Sequence, residues 1–198
     1  MKVGYVYDPV YLEHDTGDHV ENPRRLEAIM SRLEQSGLKS KLTAIKPRPA
    51  TLEEIARVHD ERHIKHVQEI CEKGGGWLDA DTVTSRESYN AAVYAAGGAI
   101  KATEVVMTGE VASAFALVRP PGHHATRVEA MGFCLFNNIA IAARYALDKL
   151  GLERILIIDF DVHHGNGTQE AFYDNPQVGY ISTHQYPFYP GSGGIEET

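Results

Sequence analysis

The sequence contains little cysteine, no long apolar run and fewer basic than acidic residues. Only two cysteines occur, Cys71 and Cys134, so no disulfide framework is expected and a reducing, cytoplasmic location is predicted. No run reaches the roughly 18 apolar residues of a membrane-spanning helix, and the N-terminal residues lack the pattern of a secretory signal. With 19 Lys and Arg against 27 Asp and Glu, the formal net charge of -8 argues against direct binding to nucleic acid. The same acidity is compatible with a cationic peptide or a polyamine as substrate.

The composition favours a folded globular chain. Hydrophobic residues make up 43% of the 198 residues, which is enough for a sizeable core, and the length suits a single domain over residues 1–198. Segments of strand character alternate with segments of helical periodicity. This alternation predicts an α/β fold, a parallel sheet with helices on both faces. Because the sequence stops at the loop "GGIEET", we expect this sheet to be incomplete at its C-terminal side.

Local patterns give the positions of individual elements. Nearly continuous apolar runs predict buried strands over residues 111–118, 154–160 and 178–183. An alanine-rich stretch predicts a helix over residues 86–107, in which two adjacent glycines indicate either close packing or a break. The glycine run in "EKGGGW" predicts a loop.

Polar clusters follow the three predicted buried strands: "RPPGHHA", "DFDVHHGNG" and "STHQYPFYPGSGG". Ligands gather at the carboxyl ends of parallel strands. In an extended "DFDVH", alternate side chains share a face, so Asp159, Asp161 and His163 converge on one side. A carboxylate and an imidazole are both zinc ligands, and a divalent cation offsets the cost of burying carboxylates. The alternative is that the aspartates cap the following turns and the histidines are satisfied core residues.

The cluster "RPPGHHA" places His123 and His124 side by side. In an irregular loop both rings can line one cavity, and an ordinary imidazole pKa near 6.5 suits proton transfer at neutral pH. A neighbouring carboxylate would hold the proton of one ring nitrogen and raise the basicity of the other. Taken alone, such a pair is more often found on a protein surface, and that interpretation stays open.

Four segments in this order resemble the zinc-dependent histone deacetylase superfamily: "RPPGHHA", "GFCLFNNIAIAA", "DFDVHHGNGTQEAFY" and "STHQYPFYPGSGG". The superfamily includes acetylpolyamine amidohydrolases and acetoin utilisation proteins, and "HVENPRRLEAI" is similar to its early arginine-bearing segment. Asn166 in "HHGNGTQ", where other members carry Asp, is similar to the class II-like and bacterial branch. The resemblance implies an arginase/deacetylase-like fold and zinc-dependent hydrolysis of an acetyl-amine amide, with release of acetate.

The resemblance also implies two metal sites. Asp161 and His163 would be two of the three protein ligands of one Zn²⁺ ion. A structural monovalent cation such as K⁺ would be surrounded by oxygens, some from backbone carbonyls, of Asp159, Asp161, His163, Ser182 and Thr183.

The tandem histidines would perform the proton chemistry of such an enzyme. By resemblance, His123 and His124 would position the zinc-bound water and move its protons, while Asp159 would orient His123 and Asn166 would contact His124. The zinc would polarise the acetyl carbonyl and lower the pKa of the water, which makes metal-assisted amide hydrolysis the expected reaction.

The implied substrate is an acetylated lysine peptide, an acetylated polyamine or another small acetylated amine. Gly132 and Phe133 would form one wall of a tunnel around the acyl-lysine stem, and Tyr189 would stand near the other wall, where many members have Phe. Asp81 would hold the substrate backbone at the rim, and Arg25 would line an internal acetate pocket. Each residue also has an ordinary structural role open to it, because aromatic residues are usually core residues and a helical arginine usually forms a salt bridge.

Two parts of the family pattern are missing from the sequence. The family has a third zinc ligand, an aspartate, and a tyrosine that donates to the oxyanion, and both lie downstream of the segment matched here. We therefore expect residues 1–198 to be an N-terminal portion of a deacetylase domain. That portion is predicted to be inactive alone, since two protein ligands are too few for a catalytic zinc site.

Two other functions remain open at this point. Ureohydrolases resemble this fold and bind two manganese ions through Asp-x-His-x-Asp, but Gly165 occupies the place of the last carboxylate. A truncated, non-catalytic binding module would explain the missing C-terminal part. It would not explain why Asp161, His163, His123 and His124 are all retained.

Overall fold

The computed structural model describes residues 1–197, which form an α/β structure. The strands are β1 (Val3–Val6), β2 (Thr43–Ile45), β3 (Gly75–Trp77), β4 (Val83–Ser85), β5 (Ser113–Ala116), β6 (Ile155–Asp159) and β7 (Val178–Ser182). The α-helices are α1 (Arg24–Gln35), α2 (Leu52–Ala56), α3 (Glu61–Glu72), α4 (Ser88–Met107), α5 (Asn138–Leu150) and α6 (Asn166–Phe172). Two short 3₁₀ helices cover Pro9–Leu12 and Lys39–Lys41.

The strands form two parallel sheets and one antiparallel hairpin. β1 pairs with both β2 and β5, β6 pairs with β7, and β3 pairs with β4. The register of β6 and β7 places Asp159 opposite Ser182 at the carboxyl ends of both strands. The predicted α/β fold with parallel strands is confirmed, and the polar clusters leave the sheets at strand ends as expected.

The long helix α4 lies at the centre of the core and packs against α5. A side chain at Gly97 would collide with the carbonyl oxygen of Arg48, and one at Gly98 would lie 2.5 Å from the hydroxyl of Tyr11. The helix continues through both glycines, so they serve close packing and do not break it. α5 ends at Gly151, whose φ of 71° is the left-handed conformation that glycine adopts without strain. Among residues 1–197, no helix is both long and apolar enough to cross a membrane.

The prediction of fully buried strands is wrong for β5, β6 and β7, and in β7 Ile181 is 49% exposed. In β6, Ile157 is only 7% exposed, whereas Leu156 and Ile158 are 59% and 56% exposed; in β5, Phe115 is 65% exposed. Successive side chains of a strand point to opposite faces, so a continuous apolar run buries both faces only if both are covered. Within residues 1–197, one face of each strand is left open, and β5 and β6 are edge strands of their sheets.

The predicted loop "EKGGGW" is also wrong in part, because Gly75–Trp77 pairs with Val83–Ser85 as a hairpin. A side chain at Gly75 would collide with the carbonyl oxygen of Thr84, so glycine is required for the close approach of the two backbones. The same glycine run that predicts a loop therefore permits the strand pairing here.

Candidate active site

The polar clusters that follow β5 and β6 line one open cavity of about 940 Å³. Ten of the residues singled out in the sequence contribute to its lining: Arg25, Asp81, His123, His124, Gly132, Phe133, Asp159, Asp161, His163 and Tyr189. Asn166 reaches this lining through a hydrogen bond to His124, and Ser182 and Thr183 lie at the end of β7.

Each of the tandem histidines is held by a different kind of side chain. The Nδ1 atom of His123 lies 2.9 Å from Oδ2 of Asp159, and Nδ1 of His124 lies 2.8 Å from Oδ1 of Asn166. The two rings are 4.0 Å apart between centroids. Asp159 comes from the end of β6 and Asn166 from the first turn of α6, so the turn between these elements positions both partners.

The partners fix the protons on both rings. Because the carboxylate and amide oxygens only accept, each ring donates from Nδ1. This leaves Nε2 of His123 and of His124 unprotonated in the neutral state, and within residues 1–197 no hydrogen bond reaches either atom. Both rings therefore present a proton acceptor that is available to a ligand in the cavity.

Burial and charge set different properties for the two pairs. Burial, followed by the nearby His123, lowers the pKa of His124 to about 4, so His124 is neutral at pH 7. Burial opposes ionisation of Asp159. Hydrogen bonds to the carboxylate, of which the one from His123 has the largest effect, nevertheless lower the pKa of that carboxyl below its usual range. An imidazolium at His123 would thus face a carboxylate, whereas one at His124 would face a neutral amide.

Comparison with known protein families matches residues 19–198 to the histone deacetylase domain. The chain belongs to the histone deacetylase family. The resemblance seen in the sequence motifs is thereby confirmed.

Curated relatives and a solved structure agree with this family. A probable deacetylase of Methanothermobacter thermautotrophicus is 44% identical over 195 residues, 98% of this chain and 58% of that protein. Human histone deacetylase 9 is 41% identical over 228 residues, 98% of this chain and 22% of that protein. The crystal structure of the HDA15 HD domain matches with a TM-score of 0.94 at 40% identity, covering 98% of this chain and 59% of that one. The chain spans 58% of the length of the first relative and 55% of a second probable deacetylase, from Archaeoglobus fulgidus.

Deacetylases of this family are generally zinc-dependent. Asp161 and His163 fit two of the ligand positions of such a zinc site. Oδ1 of Asp161 lies 3.2 Å from Nδ1 of His163, and both side chains are partly open to the cavity. Two ligands at about 2.0–2.2 Å from one tetrahedral zinc would be roughly 3.3–3.5 Å apart, so the pair is close to that spacing. Among residues 1–197, no third His, Cys, Asp or Glu joins them. When bound there, zinc supplies Lewis-acid polarisation of a carbonyl group and of water.

The residues expected around a monovalent cation lie together at the ends of β6 and β7. The amide of Thr183 donates to the carbonyl oxygen of Asp159 at 3.0 Å, which extends the pairing of the strands by one step. The hydroxyl of Ser182 is 2.8 Å from Nδ1 of His184. The structure brings Asp159, Ser182 and Thr183 together at these strand ends, and the binding of a cation by the five expected residues stays a prediction.

Gly132, Phe133 and Tyr189, the predicted tunnel walls, all line the cavity beside His124. Phe133 has a φ of 69°, unusual for a residue with a side chain, and its amide donates to the hydroxyl of Thr82 at 3.0 Å. The ring of Tyr189 meets His124 edge-on with centroids 5.0 Å apart. A side chain at Gly132 would collide with the ring of His124, so glycine is needed where the backbone approaches that ring.

Asp81 and Arg25 line other parts of the cavity. Burial, and then the neighbouring Asp79, raise the pKa of Asp81, whose backbone amide donates to Asp79 at 2.8 Å. The guanidinium of Arg25 donates to the carbonyl oxygen of Val118 at 2.9 Å. Neither position tests the role that the resemblance implies for it.

Sequence reasoning missed several residues that shape the site. Thr82 anchors the amide of Phe133, and the ring of His19 packs edge-on against the Phe133 ring at 4.7 Å. Tyr180 donates to the carboxylate of Asp159. A signal for Tyr180 was available, because it lies two residues before Ser182 on β7 and thus points to the same face.

Proposed function

We propose that the protein is a zinc-dependent deacetylase that hydrolyses an acetyl-amine amide and releases acetate. One observation carries this proposal: the Asp159-backed His123 and the Asn166-backed His124 share a cavity with Asp161 and His163. Family membership supports deacetylation in general, and the arrangement of donors supports the use of zinc.

The two histidine rings have different roles in proton transfer. Neutral His124 offers an unprotonated Nε2 and can accept a proton from a water nucleophile. His123 can hold a proton as an imidazolium paired with Asp159 and deliver it to the leaving amine. Asp159 keeps its proton-free form at pH 7, since hydrogen bonding lowers its pKa despite burial.

The proposed substrate is an acetylated lysine peptide or an acetylated polyamine. Phe133 and Tyr189 supply aromatic faces that suit an apolar methylene stem. Asp81, near the same cavity, supplies a carboxylate for a backbone amide or a cationic group, and Arg25 supplies a guanidinium for the acetate product.

The zinc site is proposed to need a ligand from outside the described residues. Asp161 and His163 are two ligands, and catalytic zinc sites have three protein ligands and an open position. Because residues 1–197 hold no third candidate beside them, we expect residues 1–198 alone to be inactive. Protein of the length of the archaeal relatives is expected to be active.

The ureohydrolase alternative is disfavoured by the space around Gly165. A side chain at this position would collide with Oδ2 of Asp159 and would lie 2.6 Å from the hydroxyl of Tyr180. The second carboxylate of the Asp-x-His-x-Asp motif, which a two-manganese site requires at this position, has no room in this arrangement.

Metal analysis and a turnover assay on native-length protein test the proposal. We expect one zinc ion per chain and hydrolysis of a fluorogenic acetyl-lysine amide that stops on chelation and returns with zinc. Asp161→Asn should lose zinc and turnover, whereas Asp174→Asn, at an exposed aspartate, should keep both. Two manganese ions per chain would indicate a ureohydrolase, and bound zinc without turnover of any acetylated amine would indicate a binding module.

A further inference from the structure

The hydroxyl of Tyr180 also contacts the carboxylate of Asp159, which holds His123. Oδ2 of Asp159 lies 2.9 Å from Nδ1 of His123 and accepts a second hydrogen bond from the hydroxyl of Tyr180 at 3.1 Å. The other oxygen, Oδ1, accepts from the backbone amide of Asp161 at 3.1 Å. Both oxygens of this carboxylate are therefore held, and Oδ2 is shared between two donors.

The space for this convergence is provided by Gly165. A side chain there would collide with Oδ2 of Asp159, and would lie 2.6 Å from the Tyr180 hydroxyl and 3.0 Å from Nδ1 of His123. Gly165 has a φ of -78°, which other residues adopt without strain. Glycine is thus required at this position for room and not for backbone conformation.

Tyr180 is well placed to act as a rigid support. It lies on β7 opposite Ile157 of β6, and its ring packs against the main core cluster. Its hydroxyl is also 3.2 Å from the carbonyl oxygen of Gly165, so its single proton has two acceptors within reach. Within residues 1–197, His124 has no equivalent support, since Oδ1 of Asn166 accepts from His124 and from no tyrosine hydroxyl.

We propose that Tyr180 is a positioning residue for the hydrolysis, because its hydroxyl shares Oδ2 of Asp159 with His123 and so fixes that carboxylate and weakens its hold on the Nδ1 proton. An oxygen that accepts two hydrogen bonds accepts each one more weakly than it would accept one alone. The kinetic part of this inference rests on the proposed function, and the hydrogen-bond part does not.

Nuclear magnetic resonance of native-length, metal-free protein with ¹⁵N-labelled histidine tests the hydrogen bond. The Nδ1 proton of His123 is assigned by its loss in His123→Gln. Tyr180→Phe keeps the ring and removes the hydroxyl, so the resonance should move downfield as the His123–Asp159 bond strengthens. Tyr173→Phe, at an exposed tyrosine, should leave it in place. An unmoved resonance in folded Tyr180→Phe would overturn the inference.

A second variant covers the case in which Tyr180→Phe does not fold. Gly165→Ala introduces a methyl group between the Asp159 carboxylate and the Tyr180 hydroxyl, so it should also shift the His123 resonance. An unchanged resonance in that variant would equally count against the shared oxygen.

Kinetics on the native-length enzyme test the positioning role. Tyr180→Phe should lower kcat on the order of tenfold and leave KM nearly unchanged, since the hydroxyl does not touch the substrate. A loss confined to KM would contradict the role. If the native-length protein hydrolyses no acetylated amine at all, the proposed function fails while the resonance experiment still decides where the hydroxyl of Tyr180 is bonded.

Discussion

One pair of neighbouring histidines lies in the core and another lies at the cavity. His59 and His63 have ring centroids 5.2 Å apart, and those of His123 and His124 are 4.0 Å apart. Burial does not distinguish His63 of the core pair from His124 of the cavity pair, because they are 5% and 3% exposed. Nor does the pKa, since burial lowers that of His59 to about 3 and that of His124 to about 4.

The partners of the ring nitrogens separate the two pairs. His59 lies 2.7 Å from the carbonyl oxygen of Thr126 through Nδ1, and Nε2 accepts from the amide of Asn137 at 2.8 Å. Both nitrogens of His59 therefore satisfy backbone groups. His124 uses only Nδ1, bonded to Asn166, and keeps Nε2 free of hydrogen bonds within residues 1–197.

This difference teaches how to tell a structural histidine from a reactive one in a fold of this kind. A ring whose two nitrogens both satisfy buried backbone groups stabilises the protein, because those groups would otherwise be unsatisfied. A ring with one nitrogen fixed by a side chain and the other directed to a cavity is oriented for proton transfer. Substitutions in the two pairs test this distinction.

The largest expected effect is the loss of turnover in His124→Ala. Removing a positioned general base typically costs about 10²- to 10⁴-fold in rate. Zinc should remain bound, because Asp161 and His163 are untouched. The measurements are kcat on a fluorogenic acetyl-lysine amide and zinc content in native-length protein. Full activity in a folded variant would show that His124 does not take part in proton transfer.

The core pair should show the opposite behaviour when His59 is changed to Ala. The variant leaves the Thr126 carbonyl and the Asn137 amide without partners and creates a cavity, so we expect a loss of about 3–5 kcal/mol in the free energy of unfolding. His66→Ala, at an exposed position on α3, is the control and should change stability by no more than about 0.5 kcal/mol. Denaturant titration measures both. Equal stabilities of the two variants would contradict the structural role of His59.

The pH dependence of stability sharpens the comparison further. Burial lowers the pKa of His59 from 6.5 in the unfolded chain to about 3 in the fold, so between these values the unfolded state binds more protons. The stabilisation is fully present above pH 6.5 and declines as the pH falls, by about 1.4 kcal/mol per pH unit for this group. Denaturant titrations from pH 7.5 to 5 measure the slope. His59→Gln should reduce it by that amount, and an identical slope would show that His59 is already protonated or exposed.

Residue patterns were sufficient to predict the parallel α/β fold and the residues that meet in the cavity. Asp159, Asp161 and His163 line one cavity as the alternation of "DFDVH" predicted, but β6 ends at Asp159, so the bends after the strand position Asp161 and His163. The resemblance to the deacetylase family, confirmed by comparison, added Asn166 as the partner of His124.

Other features depend on tertiary contacts that a local pattern does not carry. The exposure of Leu156 and Ile158 depends on which elements cover β6, and the apolar run alone predicted burial. The strand at Gly75 depends on its pairing with Ser85 and its close approach to the Thr84 carbonyl oxygen, and the glycine run alone predicted a loop. The structural role of His59 depends on Asn137, which is far along the chain, so nothing around His59 indicated it.

The smallest expected effect is that of Asn166→Asp, which changes the charge of the partner and preserves the acceptor. A carboxylate oxygen can still accept from Nδ1 of His124, so kcat/KM near pH 8 should stay within about tenfold of the parent. The new negative charge favours the imidazolium, so the pKa of His124 should rise from about 4 by roughly 1–3 units. The acidic limb of the kcat/KM profile should then move to higher pH, because His124 must be neutral to accept a proton. An acidic limb that does not move would assign the role of proton acceptor to His123. In that case His123 alone would represent the reactive rings held by side chains, in contrast to the structural ring of His59 held by backbone groups.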